Sequence, residues 1–195
     1  MSIIVTVHVN EGIVMASDSR ISITTSELVN DGTDGNPKVI KEEMAHFSDT
    51  TYKTYLMDNS IGISSCGNAT INNAPIAGYI ESFIRENSGI SINEVPQKIL
   101  AYFKKLEPNK NTTFFVAGYD LSGDQAKQCV FRINTKANKG DEIEICDTSF
   151  SNAVWDGVRD VPSRLFTELY IKSTDANGKD EYTKHSRYPL ALQQF

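Results

Sequence analysis

The sequence predicts an α+β domain in which two antiparallel sheets pack face to face with helices on an outer face. Three observations carry this. Segments with a period-two apolar pattern come in groups, before and after a pair of helical patterns, instead of alternating with helices as a parallel sheet requires. At 195 residues and 39% hydrophobic, the chain suits one compact core, so residues 1–195 read as a single domain. Clusters of Gly, Asn, Asp and Pro punctuate the strand segments at short intervals.

Ile3–His8 alternates β-branched residues, Asn10-Glu11-Gly12 supplies a turn, and Ile13–Ala16 returns as the second strand of a hairpin. Asp18-Ser19-Arg20 follows directly. Residues 21–52 differ in character: Thr/Ser-rich, then turn-forming from Asn30 to Pro37, then charged from Lys38 to His46. That composition predicts a surface insertion with a short helix over Lys41–His46. A second hairpin runs from Thr51–Met57 through Asp58-Asn59 to Ile61–Ser65, ending at Cys66-Gly67.

Ile71–Glu86 carries Ile76, Ile80, Phe83 and Ile84 at helical spacing, with Pro75 near the first turn. Ser91 or Asn93 is placed to cap a second helix with Val95, Ile99, Leu100 and Phe103 as its stripe. The period then returns to two in Thr112–Tyr119, Cys129–Asn134 and Glu142–Cys146. Asn152–Tyr170 includes a helical pattern interrupted by Pro162, Ser173–His185 reads as polar and turn-like, and Tyr188–Phe195 opens like a helix.

Several function classes are disfavoured. No apolar run approaches the ~20 residues that span a bilayer. A net charge of −6 argues against nucleic acid or an anionic membrane as partner. Cys66, Cys129 and Cys146 lie in apolar segments and are odd in number, which fits buried thiols in a reducing cytoplasm. His8, His46 and His185 have no metal-ligand spacing, and Gly32 and Gly35 lack the Lys-Ser/Thr of a phosphate loop, so no metal and no cofactor is expected. A Gly-x-Ser-x-Gly elbow is also missing.

Ser2 carries a different chemistry. A small second residue favours removal of Met1, and an N-terminal serine holds both a nucleophile (Oγ) and a base (its α-amine). An unperturbed α-amine titrates at roughly 7.7–8.0, so it can take the hydroxyl proton without a histidine. The segment Gly12-Ile13-Val14-Met15-Ala16-Ser17-Asp18-Ser19-Arg20 resembles the N-terminal signature of proteasome β-type subunits, members of the N-terminal-nucleophile (Ntn) hydrolases. The interval from Ser2 to Asp18 matches that family's nucleophile-to-aspartate spacing. Lys53 and the strand ending at Gly67 resemble its catalytic lysine and oxyanion glycine at the matching interval. Thr113–Asp120 resembles its central strand, and Asp147–Ala153 a degraded form of its Gly-Ser-Gly-Ser turn.

The resemblance implies a four-layer αββα sandwich and a peptidase acting on peptide or protein substrates, assembled as a homo-oligomeric ring, with any ATPase partner left open. It assigns catalytic roles to Ser2, Asp18, Lys53, Gly67 and Ser149. Lys53 would ease deprotonation of Ser2, Asp18 would hold Lys53 charged, and the Gly67 N–H would face the oxyanion. Arg20, Ile21, Ser22, Ser65 and Ala69 would contact substrate, which adds as a strand between Ile21-Ser22 and the segment Gly67–Ala69. Family members continue through further helices and strands, so the chain reads as C-terminally truncated or diverged there. Two other readings stay open: a catalytically inactive scaffold of the same fold, and a small-amide hydrolase.

Overall fold

A computed structural model of the protein describes residues 2–29, 38–57, 60–72, 74–108, 110–138, 140–157, 169–174 and 180–185, with side chains described outside 22–47 and 169–185. The chain opens with β1 (Ile3–Val9) and β2 (Gly12–Ser17), a hairpin in register from Ile4↔Ser17 to Val9↔Gly12. Next come β3 (Ile21–Val29) and β4 (Lys38–Ser48), then β5 (Thr54–Met57) and β6 (Ile61–Gly67). The two-residue strands β7 (Thr70–Ile71) and β8 (Ala74–Pro75) lead into α1 (Ile76–Glu86) and α2 (Val95–Leu106). The chain continues as β9 (Thr112–Asp120), β10 (Lys127–Asn134), β11 (Ile143–Ile145), β12 (Asn152–Gly157), β13 (Leu169–Thr174) and β14 (Asp180–His185).

Two antiparallel sheets organise these elements: a three-stranded one in the order β12-β1-β2 and a five-stranded one in the order β11-β10-β9-β6-β5. The period-two pleat sends neighbouring residues to opposite faces. Phe114 and Phe115 show the consequence. Both are fully buried, yet Phe114 packs with Phe83, Phe103 and Ile99 of the helices, whereas Phe115 packs with Ile4 and Cys66 toward the smaller sheet. The larger core thus lies between the helices and the five-stranded sheet, and a smaller one lies between the sheets. On β1 the inward residues are Ile4, Thr6 and His8, and the buried Thr6 Oγ1 and His8 Nε2 have no hydrogen-bond partner among the described residues. Among those residues no helix is long and apolar enough to cross a membrane.

Several expectations need correction. Lys41–His46 is not a helix: it lies within β4, which pairs with β3 from Ile21↔Ser48 to Val29↔Lys38. The β-branched Ile21, Ile23, Thr24, Thr25 and Val29 favour a strand, and cross-strand pairing outweighs the weak helix propensity of the returning segment. The first helix begins at Ile76, not Ile71. Pro75 is its N-cap, and the Ile76 N–H donates to the Ala69 carbonyl (3.0 Å). Neither Ser91 nor Asn93 caps α2, whose N-cap is Glu94; instead the Glu94 carboxylate reaches back to accept the Ser91 N–H (3.1 Å).

Asn152–Gly157, expected within a helical segment, is β12, because the open edge of β1 captures it from Ile3↔Gly157 to His8↔Asn152. Ser173–His185, expected as turn-like, falls largely in the β13–β14 hairpin. Pro162 and Tyr188–Phe195 lie outside the described residues, as does Met1.

Candidate active site

The β1–β2 hairpin builds the first half of the site. Beyond its last ladder pair, the Asp18 N–H donates to the Ile3 carbonyl (3.1 Å), so the chain is still tied to β1 as it leaves β2. The Asp18 carboxylate then faces the start of β1. Its Oδ1 accepts the Ile3 N–H (2.7 Å) and its Oδ2 accepts the Arg20 N–H (3.1 Å). Two amide donors anchor this carboxylate before any cation is counted.

The second half comes from the strand before β5. Lys53 keeps the β5–β6 pairing going, because the Ser65 N–H donates to its carbonyl (2.9 Å). Its side chain is buried at 6% exposure and points at the beginning of the chain. There Nζ donates to Ser2 Oγ (3.0 Å), to Asp18 Oδ2 (2.8 Å) and to the Arg20 carbonyl (2.5 Å). An ammonium has three protons and no acceptor, so these three oxygens account for it fully. Because the Ser2 oxygen accepts from Lys53, its own proton remains available to a base. Beneath the site, Thr54 Oγ1 joins Ser17 Oγ and Ser64 Oγ, each at 2.9 Å, in a hydroxyl cluster.

Gly67 ends β6 with φ +109°, and a Cβ there would stand 2.5 Å from the Asn111 carbonyl oxygen, so only glycine fits. Ser2, Lys53, Ile21, Ser65, Gly67 and Ala69 share one recess of about 50 Å³, lined also by Tyr52 and Ile76. Cys66 also borders it. Burial, reinforced by the nearby Asp156 carboxylate, pushes its thiol up to about 12, which leaves it protonated and non-nucleophilic near neutrality.

Two expected residues are placed otherwise. The Arg20 side chain turns outward to Asp49 (Nε–Oδ1 2.8 Å), with both partners more than half exposed; Arg20 serves the site through its backbone N–H and carbonyl. Ser149 lies elsewhere, because β12 pairs its first residue Asn152 with His8 and its last, Gly157, with Ile3. Ser149 precedes Asn152 and therefore sits beyond the Val9 end of β1, about 20 Å of strand from Ser2. There its N–H donates to Asp147 Oδ1 (2.9 Å), and it lines a separate groove of about 850 Å³ with Val9, Asn10 and Phe150. The Ser22 side chain lies outside the described ones, and its backbone pairs with His46.

The residue at the end of β12 that does reach Ser2, Gly157, is absent from the expected site. Gly157 has φ +96°, and a Cβ there would overlap the Ser2 carbonyl oxygen and stand 2.8 Å from its carbon. An Asp156-Gly157 turn signal directly after Ala153-Val154-Trp155 was the available sequence clue.

No family model matches the chain, and no curated protein matches it. Solved structures do. Anbu from Hyphomicrobium sp. strain MC1 aligns with TM-score 0.50 and 15% identity over 80% of this chain and 60% of that one. A mutant of the same protein gives TM-score 0.51 and 15% identity over 82% and 61%. Anbu (ancestral beta-subunit) from Yersinia bercovieri aligns at TM-score 0.43 and 12% identity over 84% and 65%. The chain spans less than two thirds of the length of each.

At this identity the likeness shows the fold alone: two antiparallel sheets with few helices. It also corrects the family resemblance drawn from the sequence. The structural relatives are Anbu proteins, proteasome-like but distinct from the proteasome β-type subunits that the motifs around Asp18 and Gly67 suggested.

Proposed function

We propose that this protein is a peptide-bond hydrolase whose nucleophile is Ser2, exposed as the N-terminal residue by removal of Met1. The observation that carries the proposal is the buried Lys53 ammonium shared between Ser2 Oγ and Asp18 Oδ2, at 3.0 and 2.8 Å. The freed α-amine takes the hydroxyl proton, and Lys53 stabilises the forming alkoxide as it attacks the substrate carbonyl. The Gly67 N–H faces the resulting oxyanion, and the protonated amine then donates to the leaving nitrogen. Water releases the acyl group from Ser2 by the reverse proton path. Asp18, fixed by two backbone amides, keeps the ammonium charged and aimed.

Substrate lies as a strand between Ile21 and Gly67–Ala69, both of which border the recess. The recess beside Ser2, about 50 Å³, is much smaller than the groove of about 850 Å³ at Ser149. That small size supports a second reading, hydrolysis of small acyl-amides by the same residues. Completion of a four-layer αββα sandwich, assembly with further copies of the chain into a ring, and action in the cytoplasm belong to the same proposal; three free cysteines support the last.

The test is intact-mass spectrometry after exposure to a β-lactone probe, with peptide mapping. The expected result is one adduct, on Ser2 of a chain lacking Met1, absent from Ser2→Ala. Retained Met1 with unmodified Ser2 sinks the proposal and leaves a non-catalytic scaffold. Turnover of acyl-amides without cleavage of any peptide selects the second reading.

A further inference from the structure

Behind Gly157 the two sheets are joined by an ion pair that the site chemistry does not use. Arg132 projects from β10 of the larger sheet, and its Nη2 donates to Asp156 Oδ2 of β12 at 2.7 Å. Asp156 is buried at 8% exposure. Its other oxygen accepts the Gly157 N–H at 2.6 Å. Gly157 in turn lies opposite Ile3 in the β1–β12 ladder and against the Ser2 carbonyl, too close to admit a Cβ. Four groups therefore stand in line: the Arg132 guanidinium, the Asp156 carboxylate, the Gly157 backbone and the Ser2 backbone.

Both carboxylate oxygens thereby have partners, Oδ2 the Arg132 guanidinium and Oδ1 the Gly157 N–H. Arg132 also has Glu144 within reach (Nη1–Oε2 3.6 Å), but that carboxylate is 63% exposed and lies on β11, away from Ser2. Lys53 fixes where the Ser2 hydroxyl points. On the β2 side the Ile3 N–H is held by Asp18 Oδ1; on the β12 side Gly157 stands against the Ser2 carbonyl of the same peptide.

We propose that Arg132 and Asp156 are positioning residues for Ser2, holding Gly157 at the end of β12 against its backbone so that Oγ stays within reach of Lys53. The inference rests on the reading of Ser2 as nucleophile. Burying an ion pair between sheets is a poor way to gain stability, because its desolvation cost offsets its attraction. A placement role explains its location: a displacement near 1 Å at a nucleophile lowers rate by up to ~100-fold without altering the groups that bind substrate.

The experiment separates placement from stability. In the full chain, Asp156→Asn lowers the maximal rate of Ser2 acylation by the β-lactone at least ~10-fold. The half-saturating probe concentration changes less than ~2-fold, since the recess is untouched. Arg132→Gln gives a similar loss, and the double variant loses no more than either single one, as expected for one coupled pair. Glu144→Gln leaves the rate at the wild-type value. Additive losses, or a change confined to half-saturation, overturn the proposal.

Amide hydrogen exchange provides an arm independent of acylation, and it decides the case if the wild type forms no Ser2 adduct. Asp156→Asn is expected to speed exchange at Ile3, Ile4 and Gly157 while Phe115 and Val130 keep their protection. Uniform loss of protection across both sheets, or none anywhere, refutes a positioning role. Should Asp156→Asn fail to fold, the Arg132→Gln/Asp156→Asn double variant, a neutral hydrogen-bonding pair, takes its place in both measurements.

Discussion

Replacing Lys53 by methionine keeps the length and apolar stem of the side chain and removes only its ammonium. Three hydrogen bonds go with it, to Ser2 Oγ, Asp18 Oδ2 and the Arg20 carbonyl. Breaking a buried ion pair costs about 3–5 kcal/mol when the abandoned charge is fully enclosed. Asp18 is not: its side chain is 25% exposed and retains the Ile3 and Arg20 amides as donors. The expected loss is therefore smaller, about 2–3 kcal/mol, or about 5–10 °C in Tm for a domain of this size.

The rate effect should be larger. Removing the charge that stabilises the Ser2 alkoxide is expected to lower acylation ~10²–10⁴-fold, equivalent to about 3–5 kcal/mol of barrier. The assay is probe acylation followed by intact mass, run at least ~15 °C below the Tm of the variant so that unfolding does not contribute. Acylation of Lys53→Met within ~3-fold of wild type would refute the catalytic role of Lys53. An unchanged or raised Tm would refute the energetic argument instead, since burial of the pair would then outweigh its bonds.

Three further outcomes follow from the geometry. Gly157→Ala places a Cβ into the Ser2 carbonyl at φ +96° and is expected to cost at least about 2 kcal/mol, read by denaturant unfolding, with slower acylation of Ser2. Ser149→Ala is expected to leave the acylation rate within ~2-fold of wild type, because its turn lies at the far end of β1; a tenfold loss would show that the β1–β12 register misplaces that turn.

Stability should fall in two steps on acidification. Burial holds the His8 imidazole below the ordinary 6.5 of a histidine, despite Asp147 nearby, so its contribution is full above that value and declines as pH drops below it. For Asp156, burial raises the carboxyl, but the Arg132 hydrogen bond and the Gly157 N–H outweigh it and hold it below 3.8; its contribution is lost as pH falls from there through the folded value. Thermal unfolding against pH, with His8→Gln expected to remove the upper step, checks both signs.

Much of the site was legible because its parts are local. A hairpin with a turn at Asn10-Glu11-Gly12 sets the distance from Ser2 to Asp18, and Lys53 and Gly67 flank a second hairpin whose pairing fixes their separation. The helices were legible from the stripes Ile76, Ile80, Phe83 and Val95, Ile99, Phe103, all buried as their spacing predicts. Residues 41–46 and 152–157 were not, because short segments of mixed propensity take the structure of whichever partner they meet.

The chain itself thus pointed to the candidate groups Ser2, Lys53 and Asp18, because they sit at spacings set by local hairpins. Only the tertiary structure decided which strand end faces Ser2. That choice depends on β12 pairing with β1 across more than a hundred residues of intervening chain, and a period-two strand looks the same whichever edge it joins. It put Gly157 beside Ser2, with the Arg132–Asp156 pair behind it, and Ser149 at the opposite end of the sheet.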